Sequence, residues 1–311
     1  MEFNHYSVLK QECIDGLNIN PNGIYIDATL GGAGHSLEIA KRLDKSGKLI
    51  CFDLDTDAIE YAKTVLKGFE NVIFIHDNFH NFAEHLEKLN IPKVDGILID
   101  LGVSSFQLDT AERGFSYRFD APLDMRMNQE QYLTAKIIVN EYSLSDLTKI
   151  FYEYGEEKYA KQIATKIVDY RNNKSIETTL ELVDIIESAL PKKVVYGQGH
   201  SAKKVFQALR IETNGELKNL QDVLISMINH LSINGRLCAI SFHSLEDKAV
   251  KNAMKHCMPD CSCPHNLPVC VCGAKHSIKL ISKKPILPTT KELNENSRSK
   301  SAKLRICEKI V

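Results

Sequence analysis

The sequence predicts an α/β protein: a largely parallel sheet with helices on both faces, interrupted by an all-helical insertion. Three observations carry that expectation. Short apolar runs rich in β-branched residues alternate with helical patterns over the first third of the chain. No strand pattern is found from about residue 109 to 211, where only helical periodicity persists. The alternation then resumes to the end of the chain. Strands alternating with helices at this spacing favour a parallel sheet covered on both faces.

Taken in order, a strand is expected at residues 23–27, followed by Gly31-Gly32-Ala33-Gly34 and a helix over 36–43. Next come a strand at 48–53, a helix at 58–66, a strand at 71–76, a helix at 82–89 and the most apolar strand at 96–100. Within the insertion, helical periodicity covers 145–154, 156–170, 178–189 and 202–211. A long helix at 216–231 leads through an Asn234-Gly235 turn into a strand at 236–242. Residues 278–281 and 302–306 alternate more clearly, as an antiparallel pair at a sheet edge should. The expected organisation is therefore a first sheet portion at 1–108, a helical substrate-recognition insertion at 109–211, and a second sheet portion at 212–311. The last part carries a Cys-rich loop at 257–272 and the C-terminal strand pair.

With 311 residues, 43% hydrophobic and 25% charged, the composition is that of a globular protein able to bury a core. No run approaches 18 uninterrupted apolar residues, which excludes a helical membrane span. Met1-Glu2-Phe3-Asn4-His5-Tyr6 has neither a basic nor an apolar leader region, so a cytoplasmic protein is expected. Net charge is −1, but the basic residues cluster. Residues 275–305 hold nine Lys or Arg against Glu292 and Glu295 alone. Residues 191–211 hold Lys192, Lys193, Lys203, Lys204 and Arg210 with no acid. Such tracts suit phosphate contacts or a solvated face.

A glycine-rich turn after a first strand brings backbone close to a ligand at the carboxyl edge of a sheet. The dinucleotide pattern G-x-G-x-x-G fails here: Gly32-Ala33-Gly34-His35-Ser36-Leu37 has no third glycine. Acids stand at successive expected strand ends instead, namely Asp27, Asp53, Asp77 and Asp100. Several carboxylates in one crevice suit a cation and ribose hydroxyls and repel a pyrophosphate. S-adenosylmethionine, with a ribose, a sulfonium and no phosphate, matches that chemistry.

The residues 27–36, Asp27-Ala28-Thr29-Leu30-Gly31-Gly32-Ala33-Gly34-His35-Ser36, resemble the cofactor loop of the bacterial small-subunit (16S) ribosomal RNA cytosine-N4 methyltransferases, the MraW/RsmH family. The resemblance extends through Asp100-Leu101-Gly102-Val103-Ser104-Ser105, Pro122-Leu123-Asp124-Met125-Arg126-Met127, Ser241-Phe242-His243-Ser244-Leu245-Glu246-Asp247 and Arg298 to Arg305. It implies a Rossmann-like S-adenosylmethionine-dependent methyltransferase. Ala33, Gly34 and His35 would line the cofactor, Asp53 would hold its ribose, Phe79 would lie near the adenine, and Asp100 and Gln107 would complete the pocket. The implied partner is 16S ribosomal RNA in the small ribosomal subunit, with neither membrane nor DNA. Ser201 and Gly215 depart from the pattern, which bears on substrate contacts near the end of the insertion.

An exocyclic amine needs an acceptor aimed at its N–H to localise its lone pair. Asp100, with backbone carbonyls and Ser104 or Ser105, is the candidate acceptor. Methylation at cytosine C5 would need a nucleophilic cysteine, usually in a Pro-Cys pair, and the chain has none. His243 is read as a substrate contact or a structural group. Cys261, Cys263, Cys270 and Cys272 form two close pairs, which fit a structural zinc or reduced loop thiols. The rival readings are a nicotinamide-dependent oxidoreductase and a zinc-containing RNA-binding assembly factor.

Overall fold

The computed structural model describes residues 7–197, 201–258, 263 and 276–311. The chain divides into two compact units, Met1–Gly102 with Asn219–Val311, and Val103–Lys218. The joints lie a few residues outside the 109–211 span drawn from the sequence, because the short helix after Ser104 and the last turn before Gly215 belong with the helical unit.

The first unit begins with α1 (Lys10–Leu17), β1 (Ile24–Asp27), α2 (Gly34–Ala40), β2 (Lys48–Asp53), α3 (Thr56–Val65), β3 (Val72–His76), α4 (Phe82–Lys88) and β4 (Val94–Asp100). The second unit holds α5 (Ser105–Asp109), α6 (Ala135–Glu141), α7 (Leu144–Glu153), α8 (Ala160–Arg171), α9 (Thr179–Ser188), α10 (Lys192–Val195) and α11 (Lys203–Asn214). The chain then returns to the first unit with α12 (Leu220–His230), β5 (Leu231–Ser241), α13 (Ser244–His256), β6 (Ile278–Leu280), α14 (Thr290–Glu295) and β7 (Lys303–Lys309).

The seven strands run in the order β3-β2-β1-β4-β5-β7-β6. The first five are parallel, and β7 pairs antiparallel with both β5 and β6. Strand order reverses between β1 and β4, the switch point at which open α/β sheets bind ligands. Leu49, Cys51, Leu98 and Cys238 point to one face, where they pack with Ile14, Ile39 and Ile59 of α1, α2 and α3. Their neighbours Ile50, Phe52, Ile97 and Ile99 are equally buried on the other face, where α4 meets α12 through an edge contact of Phe82 with His230. Two-sided burial is why these strands read as continuous apolar runs.

Two sequence expectations change. Asn234-Gly235 is an irregularity within β5 instead of a turn before it: Asn234 takes φ +68°, and the register against β4 shifts between Val94 and Gly96. An asparagine tolerates that conformation, so the strand bulges without ending. The segment after β5, to which the sequence assigned no element, forms α13, which buries Val250, Ala253 and Met254.

In the second unit, α7 buries Leu147, Ile150 and Phe151, and α8 buries Ile163, Ala164 and Ile167, at helical spacing. They share one core with Ile186 of α9 and Leu209 of α11. Asn214 staples residues 125–127 to the end of α11, accepting from Met127 N at 2.7 Å and donating to Met125 O at 2.8 Å.

Gly96 marks the closest approach within the sheet core. A Cβ there would lie 2.6 Å from Cε1 of Tyr25, a buried ring whose hydroxyl accepts from Asn20 N at 2.7 Å and so resists displacement. Gly96→Ala is expected to cost about 1–3 kcal/mol by overpacking, read as a lower urea midpoint at unchanged slope. An unchanged midpoint would mean that the Tyr25 ring yields.

Candidate cofactor site

The loop from β1 to α2 is shaped by two left-handed residues, Gly31 at φ +46° and Ala33 at φ +58°. Ala33 is wholly buried and caps α2. The left-handed region is disfavoured for an alanine, so the conformation must be imposed by the surroundings. Asp27 accepts from Thr29 N at 3.2 Å and from Ser36 Oγ at 2.6 Å, bracketing the loop at both ends. Asp53 accepts from Gly31 N at 2.8 Å and from Asp55 N at 2.9 Å. The Thr29 hydroxyl accepts from Asp100 N at 2.6 Å, tying the loop to the end of β4.

Asp27, Asp53 and Asp100 end β1, β2 and β4, three adjacent strands. Asp27 is buried, whereas Asp53 and Asp100 are half-buried. Burial raises the Asp27 carboxyl to about 7 against the opposing hydrogen bonds from Ser36 and Thr29, with Asp53 adding repulsion. Burial likewise raises Asp53 to about 6, against hydrogen bonds from Asp55 and Gly31. Asp100 is pushed well above the usual carboxylate range by burial and then by the charges of Asp27 and Glu246. Its Oδ1 is buried and has no hydrogen-bond partner among the described residues. Burial is the leading cause in all three, so a cation arriving at these strand ends would favour their ionised forms.

Asp77 does not share this role. Its carboxylate accepts from Asn78 N at 2.7 Å and from His85 Nε2 at 2.7 Å, and also from the Asn81 side chain. Burial would raise it, but these hydrogen bonds outweigh burial and hold it below the usual range. It is engaged by the turn into α4, so three of the four strand-end acids form the cluster.

The remaining candidates are placed as follows. Gly34 opens α2 beside Ala33. The His35 ring is buried and its Nε2 lies 3.0 Å from Val8 O, so the ring faces residues 7–9. Phe79 is half-buried at the start of a short turn beyond β3, in edge contact with His80. Ser104 and Gln107 belong to the second unit and engage each other: Ser104 Oγ accepts from Gln107 N at 3.2 Å and Gln107 Oε1 from Ser104 N at 3.1 Å. Ser105 opens α5. His243 caps α13, with Glu246 Oε2 accepting from Phe242 N at 2.7 Å and His243 N at 3.2 Å. Cys261, Cys270 and Cys272 lie outside the described residues, and Cys263 is half-buried. Among the described residues no His/Cys/Asp/Glu group could hold a metal, so the zinc reading rests on spacing alone. Among the described residues no helix is long and apolar enough to cross a membrane.

The basic tracts are partly neutralised by acids outside them. Arg210 forms a two-bond pair with Glu216 at 2.9 Å, Lys279 meets Glu308 at 2.6 Å, and Arg305 and Lys303 converge on Asp247 at 2.6 and 3.6 Å. Lys192, Lys193 and Lys203 are exposed, and beside them Tyr196 is 84% exposed.

A switched parallel sheet closed by an antiparallel β7, with a glycine loop and carboxylates at the ends of its central strands, is the Rossmann-like fold of S-adenosylmethionine-dependent methyltransferases. Comparison with known proteins narrows the class. The chain belongs to the MraW methylase family, whose sequence pattern matches residues 2–310. It is 55% identical over 310 residues to the ribosomal RNA small subunit methyltransferase H of Clostridium botulinum (strain Kyoto / Type A2), covering 100% of both chains. It is 53% identical over 311 residues to the protein of that name in Clostridioides difficile (strain 630), again covering 100% of both. Ribosomal RNA small subunit methyltransferase H 2 of Agathobacter rectalis is 55% identical over 311 residues, covering 99% of each chain.

Asp100 should cost stability in the protein without ligand. A carboxyl whose folded proton affinity exceeds its unfolded one is penalised increasingly as pH rises above its unfolded pKa of about 4. Asp100→Asn is therefore expected to raise the melting temperature at pH 8, by a gain on the order of 1 kcal/mol given its partial exposure. The gain should shrink towards pH 4. A lower melting temperature at pH 8 would show that the carboxylate has a stabilising partner.

Proposed function

We propose that the protein binds S-adenosylmethionine at the carboxyl ends of β1, β2 and β4 and methylates the N4 amine of a cytidine in the decoding region of 16S ribosomal RNA, acting on the small subunit in the cytoplasm. The observation that carries the cofactor reading is the buried Asp100 Oδ1, which has no hydrogen-bond partner among the described residues and sits with Asp27 and Asp53 at adjacent strand ends. A cation with ribose hydroxyls fits that cluster; a pyrophosphate would meet three acids. The family and its relatives support ribosomal RNA as the substrate.

In this reading the cofactor, when bound, supplies an electrophilic methyl group on a positively charged sulfur. Asp53 accepts the ribose hydroxyls, the backbone of Ala33 and Gly34 lets the ligand approach, and Phe79 flanks the adenine. Positioning for an in-line displacement provides much of the rate. Asp100 acts twice: it is ionised while a cation faces it, and it recovers its high proton affinity once that charge is discharged. It can then take the proton that the amine sheds, with Ser104 or Ser105 as auxiliary acceptors. Exposed Lys192, Lys193 and Lys203, with Tyr196, offer phosphate and stacking contacts to RNA. The target base must be unstacked to reach the methyl carbon.

The test is tritium transfer from labelled S-adenosylmethionine to small subunits from cells lacking the enzyme, followed by digestion to nucleosides. Label is expected in N4-methylcytidine, and label in another nucleoside would overturn the assignment of the atom. Asp100→Asn is expected to lower turnover at saturating cofactor by about 10²-fold or more, the scale of a lost general base. Full turnover in that variant would remove Asp100 as the proton acceptor.

A further inference from the structure

Beside the bonds from Asp27, Asp53 and Thr29, one peptide group near the start of the chain links the first turn of α2, where the cofactor loop ends, to α14 near the other end of the chain. The Val8 carbonyl accepts from His35 Nε2 at 3.0 Å, and the amide of the same peptide group, Leu9 N–H, donates to Glu292 Oε1 at 2.9 Å. Both hydrogen bonds are buried, and Glu292 reaches Leu9 across 283 residues of sequence. A peptide group is planar and stiff, so its two ends cannot be moved independently. Leu9 is itself disfavoured where it stands: it is wholly buried at φ +50° and ψ +36°, and it caps α1 without a side-chain hydrogen bond of its own. The Glu292 carboxylate instead satisfies the buried amide of the cap residue itself, and its own amide donates to Thr289 Oγ1 at 3.2 Å within the first turn of α14. At the opposite end, a carbonyl acceptor obliges His35 to carry its proton on Nε2, which orients the ring.

We propose that Glu292 is a positioning residue of the cofactor loop: through the Val8–Leu9 peptide group it holds the His35 ring, and with it the left-handed turn at Ala33. This rests on the cofactor reading above. Without Glu292 the peptide N–H is buried and unpaired, the strained Leu9 relaxes, and the Val8 carbonyl leaves its place. The His35 ring then loses its acceptor, and the loop samples conformations that do not match the ligand. The effect falls on cofactor affinity and leaves the chemical step alone.

The experiment uses the full chain and titrates S-adenosylhomocysteine by calorimetry, with KM and kcat for S-adenosylmethionine alongside. Glu292→Leu is expected to weaken binding by about tenfold, the scale of one broken buried hydrogen bond, and to raise KM for the cofactor at nearly unchanged kcat. Glu292→Gln, which keeps an acceptor oxygen, should restore affinity. His35→Phe should reproduce the Glu292→Leu loss, and the double variant should be no weaker than either. Hydrogen exchange at residues 7–17 should rise in Glu292→Leu and fall on ligand binding in the wild type. If Glu292→Leu fails to melt cooperatively, Glu292→Asp, whose oxygen is withdrawn by one methylene, must show the same loss. Wild-type affinity in Glu292→Leu or Glu292→Asp, or strictly additive losses in the double variant, would overturn the proposal. A wild-type protein that binds neither ligand would instead overturn the cofactor reading.

Discussion

The rest of the first unit depends on a single electrostatic constraint: three carboxyl groups brought together at the ends of adjacent parallel strands. A parallel sheet places strand ends side by side, and the switch between β1 and β4 leaves room there for a ligand. Burying acids at that edge is unfavourable: burial is the leading cause that raises the proton affinities of Asp27, Asp53 and Asp100, with neighbouring acids adding to it. The protein offsets part of the cost internally. Thr29 and Gly31 amides and the Ser36 hydroxyl donate to Asp27 or Asp53, and those same bonds hold the loop in its left-handed conformation. Within this cluster, Asp100 Oδ1 is left without a hydrogen-bond partner among the described residues. Strain and unpaired charge concentrated at one place are a mark of function, because local rules are broken where a ligand completes the site.

This division also explains why Asp100 and Asp53 differ although both are strand-end acids. Asp53 is engaged by two backbone amides and is suited to hold neutral donors. Asp100 has a buried oxygen with no partner among the described residues and feels both Asp27 and Glu246. Its ionisation is therefore the one most sensitive to a nearby cation. A carboxyl whose proton affinity is raised by burial and lowered by a nearby cation can take up a proton as that charge is consumed.

Much of this was legible in the sequence. The strand ends at Asp27, Asp53 and Asp100 were visible because two-sided burial makes parallel strands uniformly apolar up to their final polar residue. Asp77 looked the same in sequence, and only the structure shows its carboxylate spent on Asn78, Asn81 and His85. The bulge at Asn234 and the helix α13 were missed because Asn-Gly reads as a turn and because the polar first turn of α13 hides its buried stripe. The basic tracts hold few acids or none along the chain, whereas Glu216, Glu308 and Asp247 pair with them across the fold. The peptide group shared by His35 and Glu292 left no trace in sequence, since it joins three segments through backbone atoms and no motif encodes it.

The most direct test of the carboxyl cluster is the proton balance of ligand binding. Calorimetry of S-adenosylmethionine near pH 6.5, in buffers of different ionisation enthalpy, counts protons released as the ligand binds. The carboxyls are partly protonated at that pH, and an arriving sulfonium lowers their proton affinities. Net proton release is therefore expected with S-adenosylmethionine and markedly less with S-adenosylhomocysteine, whose sulfur is uncharged. Equal proton release with both ligands, or none with either, would contradict the account.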